Sequence, residues 1–300
     1  MTTGAATYLL DAVRLAGLRA ELGVQTWPAV LDESGLARTA PAGVDHGADA
    51  LPDWLVEGLR VLGHPLCHIE IRTVDDASGC VRRTCIAARP RRVVEATIVG
   101  EGIVAEGIVA AGIGEQGEGG AVIGFRDLGA PAVFLRDGPA LLAAAVRGAF
   151  GDADVPRFGS ITAPRDHVLD ILRQTTGLGA AAVRETVADG LRRLDVDTSD
   201  ARVAAAFATA SRRSEVVAYA AEGVVTEGMV TEGVVPYRSP GAIGVFETTG
   251  GRIVASAAAA ADGRMWTTLS PGTGHRIEQA VTLLLEPLGR LLPAGAGNHR

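Results

Sequence analysis

The stretch AIGVFETTGGRIVASAAAAADGRMWTTLSPGTGHRIEQAVTLLLEPL, residues 242–288, decides the fold. It holds three extended segments, Ala242–Glu247, Ile253–Ala260 and Met265–Leu269, parted by turns at Gly250-Gly251 and Asp262-Gly263. Ser270-Pro271-Gly272-Thr273 then caps a helix, Gly274–Leu288, with Ile277, Val281, Leu284 and Leu288 on one stripe. The unit is an antiparallel meander closed by a helix.

Working outward, the same grammar recurs. Upstream, Pro164–Gln174, Leu178–Leu194 and Ser199–Arg213 have helical apolar spacing and lead into a strand, Glu215–Ala221. In the first half, helices are expected at Ala6–Leu22 and Pro52–Leu62. Strands follow at Cys67–Val74, Val81–Ala88, Val93–Val99, Ala121–Arg126 and Ala132–Arg136, the last two joined by an Asp-Leu-Gly-Ala-Pro hairpin turn. Asp137-Gly138-Pro139 opens a closing helix, Ala140–Phe150. Cys67–Val74 alternates, with Cys67, Ile69 and Ile71 on one face and His68, Glu70 and Arg72 on the other, as in a half-buried strand. Helices and strands kept in separate runs indicate α+β. Two quasi-symmetric halves are expected, 1–154 and 155–300, each an antiparallel sheet flanked by helices, meeting near Gly151–Pro156.

Composition narrows the function. Among 300 residues, 47% are hydrophobic and 21% charged, which suits a folded globular chain. All 28 basic residues are arginine, and glycine reaches 39, near twice the usual ~7%. A net charge of −7 argues against a nucleic-acid partner. Asp11, Arg14, Arg19 and Glu21 interrupt the first segment, so it reads as neither signal peptide nor anchor. No apolar stretch approaches the ~20 residues of a spanning helix. With three cysteines a secreted disulfide framework is not expected, and the chain reads as cytoplasmic.

Two low-complexity insertions, 100–120 (GEGIVAEGIVAAGIGEQGEGG) and 222–235 (EGVVTEGMVTEGVV), repeat every five residues. Strand side chains alternate every two residues, so an odd repeat sends equivalent positions to opposite faces. These segments are expected as hairpin arms or loops; a β-rich arm offering its edges to a partner, or to further copies in a scaffold, is the functional alternative.

Motifs of chemistry dissolve on inspection. Gly112-Ile-Gly114-Glu-Gln-Gly117 matches a dinucleotide fingerprint but lacks the strand before it and the helix after it, so no cofactor is expected. His64, Cys67, His68, Cys80 and Cys85 invite a zinc reading, yet Cys67 and His68 are strand neighbours pointing to opposite faces, so no metal is expected. Asp197-Thr198-Ser199 reads as a helix N-cap. The paired arginines (Arg82/Arg83, Arg192/Arg193, Arg212/Arg213, and Arg89 to Arg92) read as solvated faces. No catalytic constellation emerges, and no enzyme is expected.

The run from Pro240-Gly241 through Gly250-Gly251-Arg252-Ile253, Asp262-Gly-Arg-Met-Trp266 and Pro271-Gly272-Thr273 into a Leu/Val-rich helix resembles the EspG family. These are cytosolic chaperones associated with ESX (type VII) secretion in actinobacteria. The resemblance implies two quasi-symmetric α+β subdomains around an antiparallel sheet. It also implies a PE–PPE heterodimer as partner, whose apolar helical tip is kept soluble, with no catalysis, metal or cofactor. A chaperone of this kind needs an apolar surface with a polar rim. Candidate partner-binding residues are Val235, Tyr237, Ile243 and Val245, with Tyr237 as an aromatic anchor. The alternative function is a small-molecule-binding or enzymatic α+β protein with a pocket between the halves.

Overall fold

A computed structural model describes residues 7–32, 50–99, 122–131, 134–221 and 236–289. The repeats at 100–120 and 222–235, and with them Val235, lie outside the described residues.

The first half contains β1 (Thr7–Asp11), α1 (Ala12–Glu21), α2 (Ala29–Asp32), α3 (Asp53–Gly63), β2 (Cys67–Asp75), β3 (Val81–Arg89), β4 (Arg92–Val99), β5 (Val122–Gly129) and α4 (Phe134–Phe150). The second contains β6 (Ile161–Pro164), α5 (Arg165–Arg173), α6 (Ala180–Arg192), α7 (Thr198–Ala204), a 3₁₀ turn (Ala205–Thr209), β7 (Arg212–Ala220), β8 (Tyr237–Arg238), β9 (Ile243–Thr248), β10 (Gly251–Ala259), β11 (Met265–Pro271) and α8 (Gly274–Gly289). All strands among the described residues join one open antiparallel sheet in the order β1-β5-β4-β3-β2-β7-β9-β10-β11-β6, with β8 pairing beside β9 on β7. Reading outward from β2 and β7, the halves follow the same order, and each edge strand immediately precedes its half's first helix. The halves fuse where β2 pairs with β7, from Cys67↔Ala220 to Asp75↔Arg212.

Alternation along the strands feeds three cores. On one face α4 and α8 pack together over the centre: Leu142 and Val146 of α4 and Ile277, Val281 and Leu288 of α8 meet Ile69, Ile86, Val216 and Val254. This core draws on both halves, so neither buries its apolar face alone. On the other face the halves are covered separately. Leu15, Leu18, Leu55, Leu59 and Leu62 pack on Cys85, Ala87, Val94, Ala96, Ile123 and Phe125. Ile171, Val187, Leu191 and Phe207 pack on Ile161, Ile253 and Leu269. Each fully buried leucine contributes about 1.5–3 kcal/mol. The start of β2 is therefore buried on both faces rather than half-buried, and even His68 is enclosed.

Several expected boundaries move. Ala6–Leu22 is not one helix, because Thr7–Asp11 pairs with β5 and α1 begins after Asp11, whose carboxylate accepts the Arg14 amide at 2.8 Å. Leu10 suits either period, being buried in both readings. The strand expected at Ala132–Arg136 is absent from its described part: Phe134–Arg136 form the first turn of α4. Both sides of β5 are already taken, by β4 and β1, so a hairpin partner has no free edge there. The helix expected over Ser199–Arg213 tightens into the 3₁₀ turn at Ala205, and β7 already starts at Arg212. The short strands β6 and β8 carry too few residues to show a period.

Candidate functional site

On the face away from α4 and α8, the two helical layers leave a strip of sheet bare between them. Cross-strand register defines it. Arg72, Glu215, Gly244, Ala255 and Leu269 lie side by side across five strands and point the same way. The neighbouring row is Val74, Arg213, Phe246 and Ile253. Leu269 and Ile253 lie under the second half's helices. The rest borders an open groove of about 560 Å³.

Small residues make the groove. Gly244, Ala255 and Ala257 form its floor, with Thr267 opposite Ala257 at the far side. The Phe246 ring lies back along the sheet over Gly244, where a Cβ would come within 2.6 Å of it. That ring also packs edge-on against Phe207, centroids 5.3 Å apart, which ties the groove wall to the covering helices. Arg72 and Arg213 stand on one side and Arg165, the first residue of α5, on the other.

Beyond Glu215 the same face becomes polar. His68 stacks on its cross-strand partner Tyr219, centroids 4.7 Å apart. The Glu70 carboxylate accepts the Val30 amide at 3.2 Å and lies 3.6 Å from His68 Nε2. Burial, then the Glu70 charge, pushes the Tyr219 hydroxyl up from its usual pKa. These contacts tie α2 to the sheet.

The described candidate residues from the sequence, Tyr237, Ile243 and Val245, fall on the other face. Ile243 and Val245 are 2% and 1% exposed, inside the core beneath α8. As partner-binding residues they are corrected: they hold the sheet to the protein's own helices. Tyr237 is 38% exposed and pairs with Ala220, whose side chain joins that same core face. Ile243 and Val245 take the parity of β9 that faces α8. Within β9, Gly244 and Phe246 face the groove, one residue out of step from Ile243 and Val245. The usable signal was the coincidence of a glycine, two alanines and a phenylalanine on one parity.

The Gly-Arg and Pro-Gly pairs are structural. Arg252 is 3% exposed and donates from Nε to Glu247 at 2.7 Å, and from its two Nη atoms to the Gly151 and Phe150 carbonyls at 2.8 Å each. Its charge satisfies orphan carbonyls at the C-terminus of α4. Its amide donates to the Asp154 carbonyl at 2.7 Å. Gly251 has φ +112, and a Cβ there would meet the Asp154 oxygen at 2.5 Å. A Cβ on Gly272 would meet Arg252 itself at 2.4 Å. Together these groups clamp the segment between the halves onto the sheet.

The zinc-like set is dispersed: Cys67 belongs to the core under α4 and α8, Cys85 to the core on the opposite face, and Cys80 to a turn. Burial pushes the Cys67 thiol up to about 12 and raises Cys85 well above its usual value. Asp197 does cap α7, accepting the Ser199 amide at 2.7 Å. Arg92 is no solvated arginine, because it bridges Glu57 of α3 and Asp127 of β5 at 2.8 and 2.6 Å.

The model of the EspG family matches residues 5–282. A solved structure of the Mycobacterium tuberculosis type VII secretion system chaperone EspG5, in complex with a PE25–PPE41 dimer, shares the fold. Its TM-score is 0.63 at 15% identity, over 97% of this chain and 99% of that one. A search of curated protein sequences finds no match.

Proposed function

The chain belongs to the EspG family, and from that premise we propose that it is a cytosolic chaperone holding PE–PPE-type heterodimers for type VII secretion. The observation that carries the reading is the groove left on one sheet face between the two helical layers. An exposed apolar helix end in water is unfavourable by roughly 25 cal/mol per Å² and invites aggregation. A preformed concave strip of Gly244, Ala255, Ala257 and Phe246 offers such an end apolar surface without first reordering. Holding is enough for this role, so the reading assigns no catalysis and no cofactor. The division at 154/155 is read as two halves serving one surface.

Co-expression with the PE–PPE pairs of the same genome tests this. A complex of one chaperone with one heterodimer is expected to co-purify through size exclusion for at least one pair. Absence of a complex with every pair overturns the reading.

A further inference from the structure

The chain carries a net charge of −7, yet arginine rings the groove. Arg72, Arg165 and Arg213 border it against a single acidic residue, Glu215. Two of the three are committed. Arg213 donates to both oxygens of Asp76 at 2.7 Å, and Arg72 has a partner within the chain. Glu215 lies 3.7 Å from Arg238. Arg165 differs: exposed at the groove wall, it forms no ion pair among the described residues. Its sequence neighbour Asp166 is one step around the helix, where side chains do not face each other.

An apolar occupant closing over the groove strips water from this guanidinium. A desolvated, unpaired cation opposes binding unless the occupant brings an opposite charge. Resting on the docking role above, we propose that Arg165 sets specificity, selecting heterodimers whose apolar helix end carries a carboxylate that reaches over the start of α5. Neutral or basic ends are discriminated against by the same uncompensated charge.

Calorimetric titration of the full chain with its co-purifying PE–PPE pair, at about 50 mM and about 500 mM salt, tests this. Wild type is expected to bind more weakly at high salt. Arg165→Glu is expected to lose about tenfold in affinity at low salt, and Arg165→Met to lose the salt dependence. Exchanging the tip carboxylates of the partner for amides is expected to weaken binding to wild type but not to Arg165→Met. Ala257→Trp, which fills the floor, is run beside them, with Thr267→Trp in its place if the former lowers the melting temperature. If the filled groove abolishes binding while Arg165→Glu binds like wild type, the charge inference is overturned and the docking role stands. If a filled groove binds normally, or wild type binds no pair, docking in this groove is overturned and the charge inference with it.

Discussion

The two halves share one plan but place their covering helices differently. In the first half α1 and α3 sit over β3, β4 and β5, so the strand next to the joint, β3, has Cys85 and Ala87 fully enclosed. In the second half α5, α6 and the turn after α7 sit further out, with their buried core over β10, β11 and β6, and reach β9 through Phe207 against Phe246. The equivalent strand there, β9, has Gly244 and Phe246 beside open solvent. A lateral displacement of one helical layer turns a sealed sheet into a sheet with a groove. Duplicated architecture can thus supply stability from one copy and a surface from the other.

Breaking the clamp between the halves carries the largest expected effect. Arg252→Ala leaves Glu247 and two carbonyls without their partner. Loss of one member of such a buried set costs about 3–5 kcal/mol, read as a lower denaturant midpoint. A midpoint within error of wild type contradicts the clamp.

Leu59→Ala and Phe246→Ala then compare the halves directly. Leu59 is fully buried under the sealed layer and should cost about 3 kcal/mol. Phe246, open on the groove side, should cost about 1–2 kcal/mol. Equal losses would mean that the groove wall is as enclosed as the sealed half.

Alkylation sharpens the picture of the first half. Cys67 and Cys85 are buried with raised thiol pKa values, whereas Cys80 lies partly exposed in a turn. At pH 8 iodoacetamide should label Cys80 first, by mass spectrometry, and the other two only on unfolding. Prompt labelling of Cys85 would show the covering layer to be open.

The smallest effect concerns the cap of α7. Asp197 has its pKa lowered, first by its hydrogen bond to the Ser199 hydroxyl and then by the Ser199 amide. A depressed folded-state pKa contributes stability present above the unfolded value of about 3.9 and lost as pH falls through the lower folded value. Asp197→Asn should therefore show a shallower acid destabilisation than wild type below about pH 4. Parallel curves would remove the cap from the account.

How far such features are legible in the chain differs by element. Strongly periodic segments such as Gly274–Leu288 and Pro52–Leu62 lie within a residue or two of the helices found. The alternation of Cys67–Val74 marks its strand. Pairing partners leave no such trace. Nothing local tells Thr7–Asp11 that β5 has a vacant side, or Phe134–Arg136 that it has none. The same limit governs the candidate surface residues: Ile243 and Val245 carry the stronger apolar signal because they face the interior, while Gly244, Ala255 and Ala257 register only when β9 and β10 align.

Periodicity, capping and turn chemistry act over a few residues, so the chain alone specified its class, most of its helices and strands, and its doubled order. Fusion at β2 and β7, burial of Arg252 across the joint, and the choice of which sheet face stays bare depend on groups more than a hundred residues apart. Those outcomes follow from which edges and layers remain unfilled once the sheet has assembled, a quantity that exists only in three dimensions.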